Sequence, residues 1–209
     1  MKTKTQVAGV ILFLLSFSIL STIYLAWLTY PLEISFLGLE DVVYMKSEDI
    51  YYNFNVLMTY LTNPFQSVLD MPNFSSSLDG LKHFKDVKNL FHLVQFLFLV
   101  SLPAVYYFVK NILKKGYGKL VKSVFLRVSL LPIFIGILGI LIGFDRFFVL
   151  FHNILFPGDS TWLFNPHTDP VIYILPQEFF LHCFVAFFLI YQLLSWGIWY
   201  LCSFVQQKK

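Results

Sequence analysis

The sequence predicts an all-α integral membrane protein with four transmembrane helices and an extracytoplasmic cap formed by two long loops. Three observations lead there. With 57% hydrophobic and 13% charged residues and a mean hydropathy of +0.69, too few polar groups exist to cover a water-soluble globule of 209 residues. Four apolar runs each reach the ~20 residues needed to cross about 30 Å of hydrocarbon. The segments between them alternate in charge. No repeat at a period of 20 to 50 residues is visible, so residues 1–209 read as a single membrane domain rather than a solenoid or a repeat-built transporter.

Span 1 is expected at about 7–30. Its apolar run, uncharged between Lys4 and Glu33, is too long for a signal peptide, and Trp27, Tyr30 and Pro31 read as interfacial anchors followed by a helix breaker. The first long loop, about 31–88, carries eight acids and four lysines. Inside it, Ser47 with Glu48 and Asp49 reads as a helix start leading into YYNFNVLMTYL, which Asn63-Pro64 ends; this is a short interfacial helix. Leu81, Phe84, Val87, Leu90 and Phe91 then recur at helical spacing, so a second helix runs directly into span 2, about 89–109, with Pro103 inside it. Span 3, about 124–143, holds Pro132, and Gly139 and Gly143 in G-x-x-x-G spacing, read as close packing within the molecule. A further loop, about 144–178, precedes span 4 at about 179–205.

Charge orients these spans. The loop at about 110–123 holds Lys110, Lys114, Lys115, Lys119 and Lys122 with no acid, and Lys2, Lys4, Lys208 and Lys209 sit at the termini. Excess lysine marks the cytoplasmic side, so both termini are expected in the cytoplasm and the two acid-bearing loops outside. The net charge of +3 is dispersed along a membrane chain and gives no nucleic-acid signal. Cys183 and Cys202, 19 residues apart on one helix, stand ~28 Å apart and do not pair.

This topology puts every histidine on the outer side. His83 and Asp86 are three apart on a helix and share a face, where the carboxylate would fix the imidazole tautomer, although a solvated polar face fits the same spacing. His152 lies among phenylalanines with Asp145, Phe148 and Phe156 on its side. A lone histidine there is commonly a satisfied core residue, but ionisable groups near hydrocarbon are costly and mark functional positions. Asp169, in the turn-rich NPHTDP, reads as a turn cap, His167 as incidental, and Glu178 as an acid suited to the start of span 4. No H-x-x-x-H, H-E-x-x-H or paired-cysteine spacing supports a metal, no G-x-S-x-G elbow supports a serine nucleophile, and no P-loop or dinucleotide fingerprint calls for a nucleotide. On the residues alone, a metal-dependent membrane hydrolase using His83, Asp86, His152 and Asp169, and a non-catalytic scaffold, both stay open.

The segment LKHFKDVKNLF and the segment FDRFFVLFHNILFPGDSTWLFNPHTDPVIYILPQEFF, set among four spans, resemble the bacterial lipoprotein intramolecular transacylase family; the likeness covers nearly the whole chain. The resemblance implies movement of the sn-2 acyl chain of a lipoprotein's diacylglyceryl cysteine onto the α-amino group of the same cysteine, giving a lyso-form lipoprotein in the cell membrane without a cofactor or metal. It implies a lipid-modified protein and membrane lipid as partners and leaves oligomeric state open. His83 and His152 match the family's principal polar positions and are the expected catalytic pair. Asp86, Asp145, Arg146, Trp162, Asp169 and Glu178 fall on its motifs as supporting or substrate-binding residues. In the expected chemistry His83, oriented by Asp86, frees the amine, and His152 donates to the developing oxyanion or leaving glyceryl oxygen; the opposite allocation of roles is also open.

Overall fold

The computed structural model describes residues 2–204 and is helical throughout, with seven α-helices among those residues: α1 (Thr3–Phe36), α2 (Leu39–Val43), α3 (Ser47–Thr62), α4 (Leu78–Phe108), α5 (Lys122–Ile142), α6 (Phe144–Leu155) and α7 (Gln177–Phe204). A π-helical turn at Val109–Leu113 and 3-10 turns at Gly118–Leu120 and Pro170–Tyr173 complete the order. Four helices are long and apolar enough to cross a membrane: Thr3–Phe36, Leu78–Leu113, Lys122–Ile142 and Gln177–Phe204. Residue 205 of the expected fourth span, and Lys208 and Lys209, lie outside the described residues.

Helix α1 corrects the expected boundary. Pro31 lies inside it and the helix continues to Phe36. Proline sacrifices one backbone hydrogen bond, but the turns around it bury Tyr30 and Ile34 to 1% exposure or less. Here tertiary burial outweighs the local breaker. Gly38 (φ 62°) then turns the chain into α2, a short helix that periodicity did not predict. Helix α3 starts at Ser47 itself, so its N-cap is Lys46, one residue before the expected cap, and its first turn is held by the Glu40 carboxylate, which accepts from the Ser47 N–H at 2.8 Å. It ends at Asn63 as expected.

The chain divides into two compact units. The first comprises residues 1–22, 94–143 and 184–209. Its core packs Val10, Leu14, Phe108, Phe125, Tyr191 and Cys202. Outward it presents large apolar side chains, Ile140 being 82% and Leu193 76% exposed, as suits helices whose outer surface faces lipid. The close packing expected of the Gly139 and Gly143 pair is not seen at Gly143, and at the neighbouring Gly136 a Cβ would make only an ordinary contact, 3.7 Å from Phe188. Gly143, with no neighbour within 4 Å of that position, takes φ +82° and ends α5.

The second unit comprises residues 23–93 and 144–183 and contains both long loops. Helix α3 turns Ile50, Phe54, Leu57, Met58 and Leu61 into its core, where Phe54 stacks on Tyr30 at 3.5 Å between ring centres and meets the edge of Phe179. The Tyr30 hydroxyl donates to the Ile174 carbonyl. Asn53, fully buried, donates to the Asp49 carbonyl and the Asn73 side chain and accepts from the Asn73 N–H, fixing the loop after α3. Lys88 reaches the same loop, donating to the carbonyls of Asn63 and Gln66 with its ammonium 4.4 Å over the Tyr60 ring.

Candidate active site

All the expected site residues fall in the second unit. His83 lies in the second turn of α4 and is 9% exposed. The edges of Phe156 and Phe164 meet its ring at 5.0 and 5.5 Å between centres. Among the described residues neither ring nitrogen has a hydrogen-bond partner, so this polar ring stands in an apolar wall with its hydrogen-bonding capacity unspent.

His152 lies in the last turns of α6, an amphipathic helix, and has an aromatic ring from that helix and another from the loop after it as neighbours. The Trp162 indole stacks on it at 4.6 Å and 26°, and the Phe148 ring stands 4.3 Å away. The two imidazoles meet at 6.0 Å between ring centres. His152 Nδ1 is 2.8 Å from the Phe148 carbonyl. A carbonyl only accepts, so Nδ1 carries the hydrogen and the neutral ring keeps its lone pair on Nε2. Burial pushes the His152 pKa below the ordinary imidazole value, with the bond to Phe148 opposing.

The expected pairing of His83 with Asp86 does not form. Asp86 makes no hydrogen bond to the ring; instead it lines a groove of about 320 Å³ with Leu90, Leu155, Phe156, Pro157 and Asp159. The helix brings positions 83 and 86 to one side, but the side chains diverge, one into the aromatic wall and one to the groove. Asp159 carries the electrostatics expected of Asp86. It is paired with Lys82, which donates to its carboxylate and holds that group far below the usual carboxylate range, helped by the Thr161 N–H at 2.9 Å. Asp159 was not singled out from sequence, although P-G-D-S-T carries the signal of an aspartate closing a turn on its own backbone. Its partner lies 77 residues away and left no trace in spacing.

Of the other candidates, Trp162 is placed at the site: besides stacking on His152 it donates from Nε1 to the Asp159 carbonyl at 3.1 Å. Asp169 is a buried cap, accepting from the Ser77 N–H at 2.8 Å and from the Thr168 hydroxyl at 2.8 Å. Asp145 is exposed and accepts from Gln177, and Arg146 and Glu178 are exposed; none of the three contacts either imidazole. His167 is exposed in its turn. His182, in α7, pairs with Glu33 at 2.8 Å across 149 positions of sequence. Among the described residues no group of three His, Cys, Asp or Glu side chains is arranged to hold a metal, so the ligand set of the hydrolase alternative does not assemble.

Residues 5–180 match the family model of the lipoprotein intramolecular transacylase Lit. The chain belongs to this family. It is an integral membrane acyltransferase, and its fold is that of a solved membrane-integral Lit from Bacillus cereus, with a TM-score of 0.72 and 31% identity over 98% of this chain and 97% of that one. Two histidine variants of the Bacillus cereus Lit, to arginine and to alanine, match at a TM-score of 0.70 and 32% identity, covering 94% of this chain and 90% and 92% of theirs. No curated protein sequence gives a significant match.

Proposed function

We propose that the chain moves the sn-2 acyl group of a diacylglyceryl cysteine to that cysteine's own α-amino nitrogen, with His152 as the base and His83 as the hydrogen-bond donor. The juxtaposition of two imidazoles, 6.0 Å apart and beside a groove through Phe156, carries this reading. It reverses the roles expected from sequence, because His152 has its tautomer fixed by a backbone carbonyl whereas His83 lacks the carboxylate that was to orient it.

The α-amino group has a pKa near 8, so a fraction of it is present as the free amine, its ammonium proton given up to water. As that amine nitrogen attacks the ester carbonyl, its N–H becomes acidic and Nε2 of His152 takes the proton. The N–C bond forms, His83 donates to the carbonyl oxygen as it becomes an oxyanion, and the C–O bond to glycerol then breaks. The proton passes from His152 to the departing glyceryl oxygen. Donor and acceptor belong to one residue, so holding them in contact removes several kcal/mol of the barrier as effective molarity. Exchanging an ester for an amide is downhill and needs no nucleotide.

We further assign the lysine loop and both termini to the cytoplasm and the histidine-bearing loops to the outer face; the support is the distribution of lysine and acid. The test is mass spectrometry of the N-terminal peptide of a lipoprotein made with the wild-type chain, His83→Ala or His152→Ala. Lyso-form product is expected from the wild type alone, and its persistence with either variant present as folded protein would overturn the assignment.

A further inference from the structure

The first unit has a charge balance that the transacylase chemistry does not use. It contains ten of the chain's 15 lysines and arginines and none of its 12 acids. Seven of these cations flank one small region: Lys2 and Lys4 at the start of α1, and Lys110, Lys114, Lys115, Lys119 and Lys122 around the turns that follow α4. All seven are exposed, and among the described residues none is in an ion pair.

Within that region lies a groove of about 190 Å³ lined by Thr3, Gln6, Asn111, Tyr117, Leu120 and Val121. Its shape is built in. The π-helical turn at Val109–Leu113 half-buries Asn111, the Tyr117 N–H closes back on the Ile112 carbonyl at 2.8 Å, and Gly118 packs so tightly that a Cβ there would stand 2.7 Å from the Cys202 carbonyl. π-helical turns occur frequently at functional sites. Gln6, only 2% exposed, adds an amide to the wall of the groove. At the rim Tyr117 and Leu120 are 44% and 78% exposed, the mixture of aromatic and aliphatic surface found at headgroup depth.

We infer that this groove binds the phosphodiester headgroup of an anionic phospholipid, with Thr3 and Asn111 as hydrogen-bond donors and the lysines of the same segments as counter-charge. A groove with neutral amide and hydroxyl groups in its lining, formed by segments that carry seven lysines outside any ion pair and set in a unit without an acidic side chain, is complementary to a phosphodiester. The exposed leucine and tyrosine at its rim suit a ligand with acyl chains.

The experiment uses the full chain in detergent, with phosphatidylglycerol or phosphatidylcholine added, and counts retained lipid by native mass spectrometry. The wild type should retain phosphatidylglycerol preferentially, by about fivefold for each lysine that contributes. Lys110→Gln/Lys114→Gln/Lys119→Gln should lose that preference, and Lys46→Gln/Lys85→Gln, in the other unit, should keep it. Asn111→Leu, which alters the groove and not the charge, should lose at least half of it; full retention there would reveal a diffuse electrostatic attraction and overturn the site. Equal retention of the two lipids by the wild type would overturn it regardless of how the variants fold. Displacement of the lipid by inorganic phosphate at equal concentration would show that the acyl chains contribute nothing, and would overturn the lipid assignment.

Discussion

His152 is held on three sides: by the Phe148 carbonyl at Nδ1, the Phe148 ring and the Trp162 indole. Replacing either site histidine by alanine should lower the rate of lyso-form production by about 10²- to 10⁴-fold, the usual contribution of a positioned acid or base; mass spectrometry of timed samples measures this. The depressed pKa of His152 has a thermodynamic sign as well. As pH falls through the ordinary imidazole value of about 6.5, the unfolded chain takes up the proton before the folded one. The contribution to stability is therefore intact above that pH and is lost progressively down to the folded pKa. Unfolding in detergent followed against pH should show this slope, and His152→Gln should remove its share. An imidazole titration midpoint at or above 6.5 for His152 would contradict the picture. At this scale the sequence disclosed both histidines through their residue type in a Phe-rich setting and through the family motifs. It did not disclose which had a fixed tautomer, because that depends on a carbonyl of the backbone four residues earlier.

Helix α4 places His83, and its first turn is fastened to a distant loop. Asp169 accepts from the Ser77 N–H, Ser77 Oγ accepts from the Gly80 N–H, and a Cβ at Gly80 would come within 2.2 Å of Asp169 Oδ1. Asp169 is 3% exposed and held by two hydrogen bonds, so it has no free direction in which to yield. Gly80→Ala should therefore destabilise the fold by about 1–3 kcal/mol, and Asp169→Ala by about 2–3 kcal/mol through loss of charge-assisted bonds to a half-buried N–H and a hydroxyl. Thermal unfolding in detergent reads both, and an unchanged midpoint for Gly80→Ala would show that the close approach is absent. The helices themselves were largely visible in advance, since α3, α4, α5 and α7 follow apolar periodicity and hydropathy. The exceptions were the short α2 and the continuation of α1 through Pro31; the latter came from the burial of Ile34, a tertiary effect that local propensity does not contain.

Across the whole molecule, charge is sorted by unit: ten cations and no acids in one, and in the other the remaining five cations with all 12 acids. That sorting predicts orientation. A reporter fused after Lys209 should be active only in the cytoplasm, and Lys110→Glu/Lys114→Glu/Lys115→Glu/Lys119→Glu should raise the fraction with that end outside; a reporter active only outside in the wild type would reverse the topology. Sequence gave the sign of each segment but not its pairings. Lys82 with Asp159 and Glu33 with His182 join positions 77 and 149 residues apart, and only packing creates such neighbours.

The face-to-face seat of Trp162 on His152 gives the enzyme an intrinsic optical gauge. An imidazolium over an indole draws on the ring's electron density and quenches its emission, whereas the uncharged ring does not. In a background with Trp27, Trp196 and Trp199 changed to Phe, the fluorescence of the remaining tryptophan would register the proton on the proposed base directly, without substrate and in the resting enzyme.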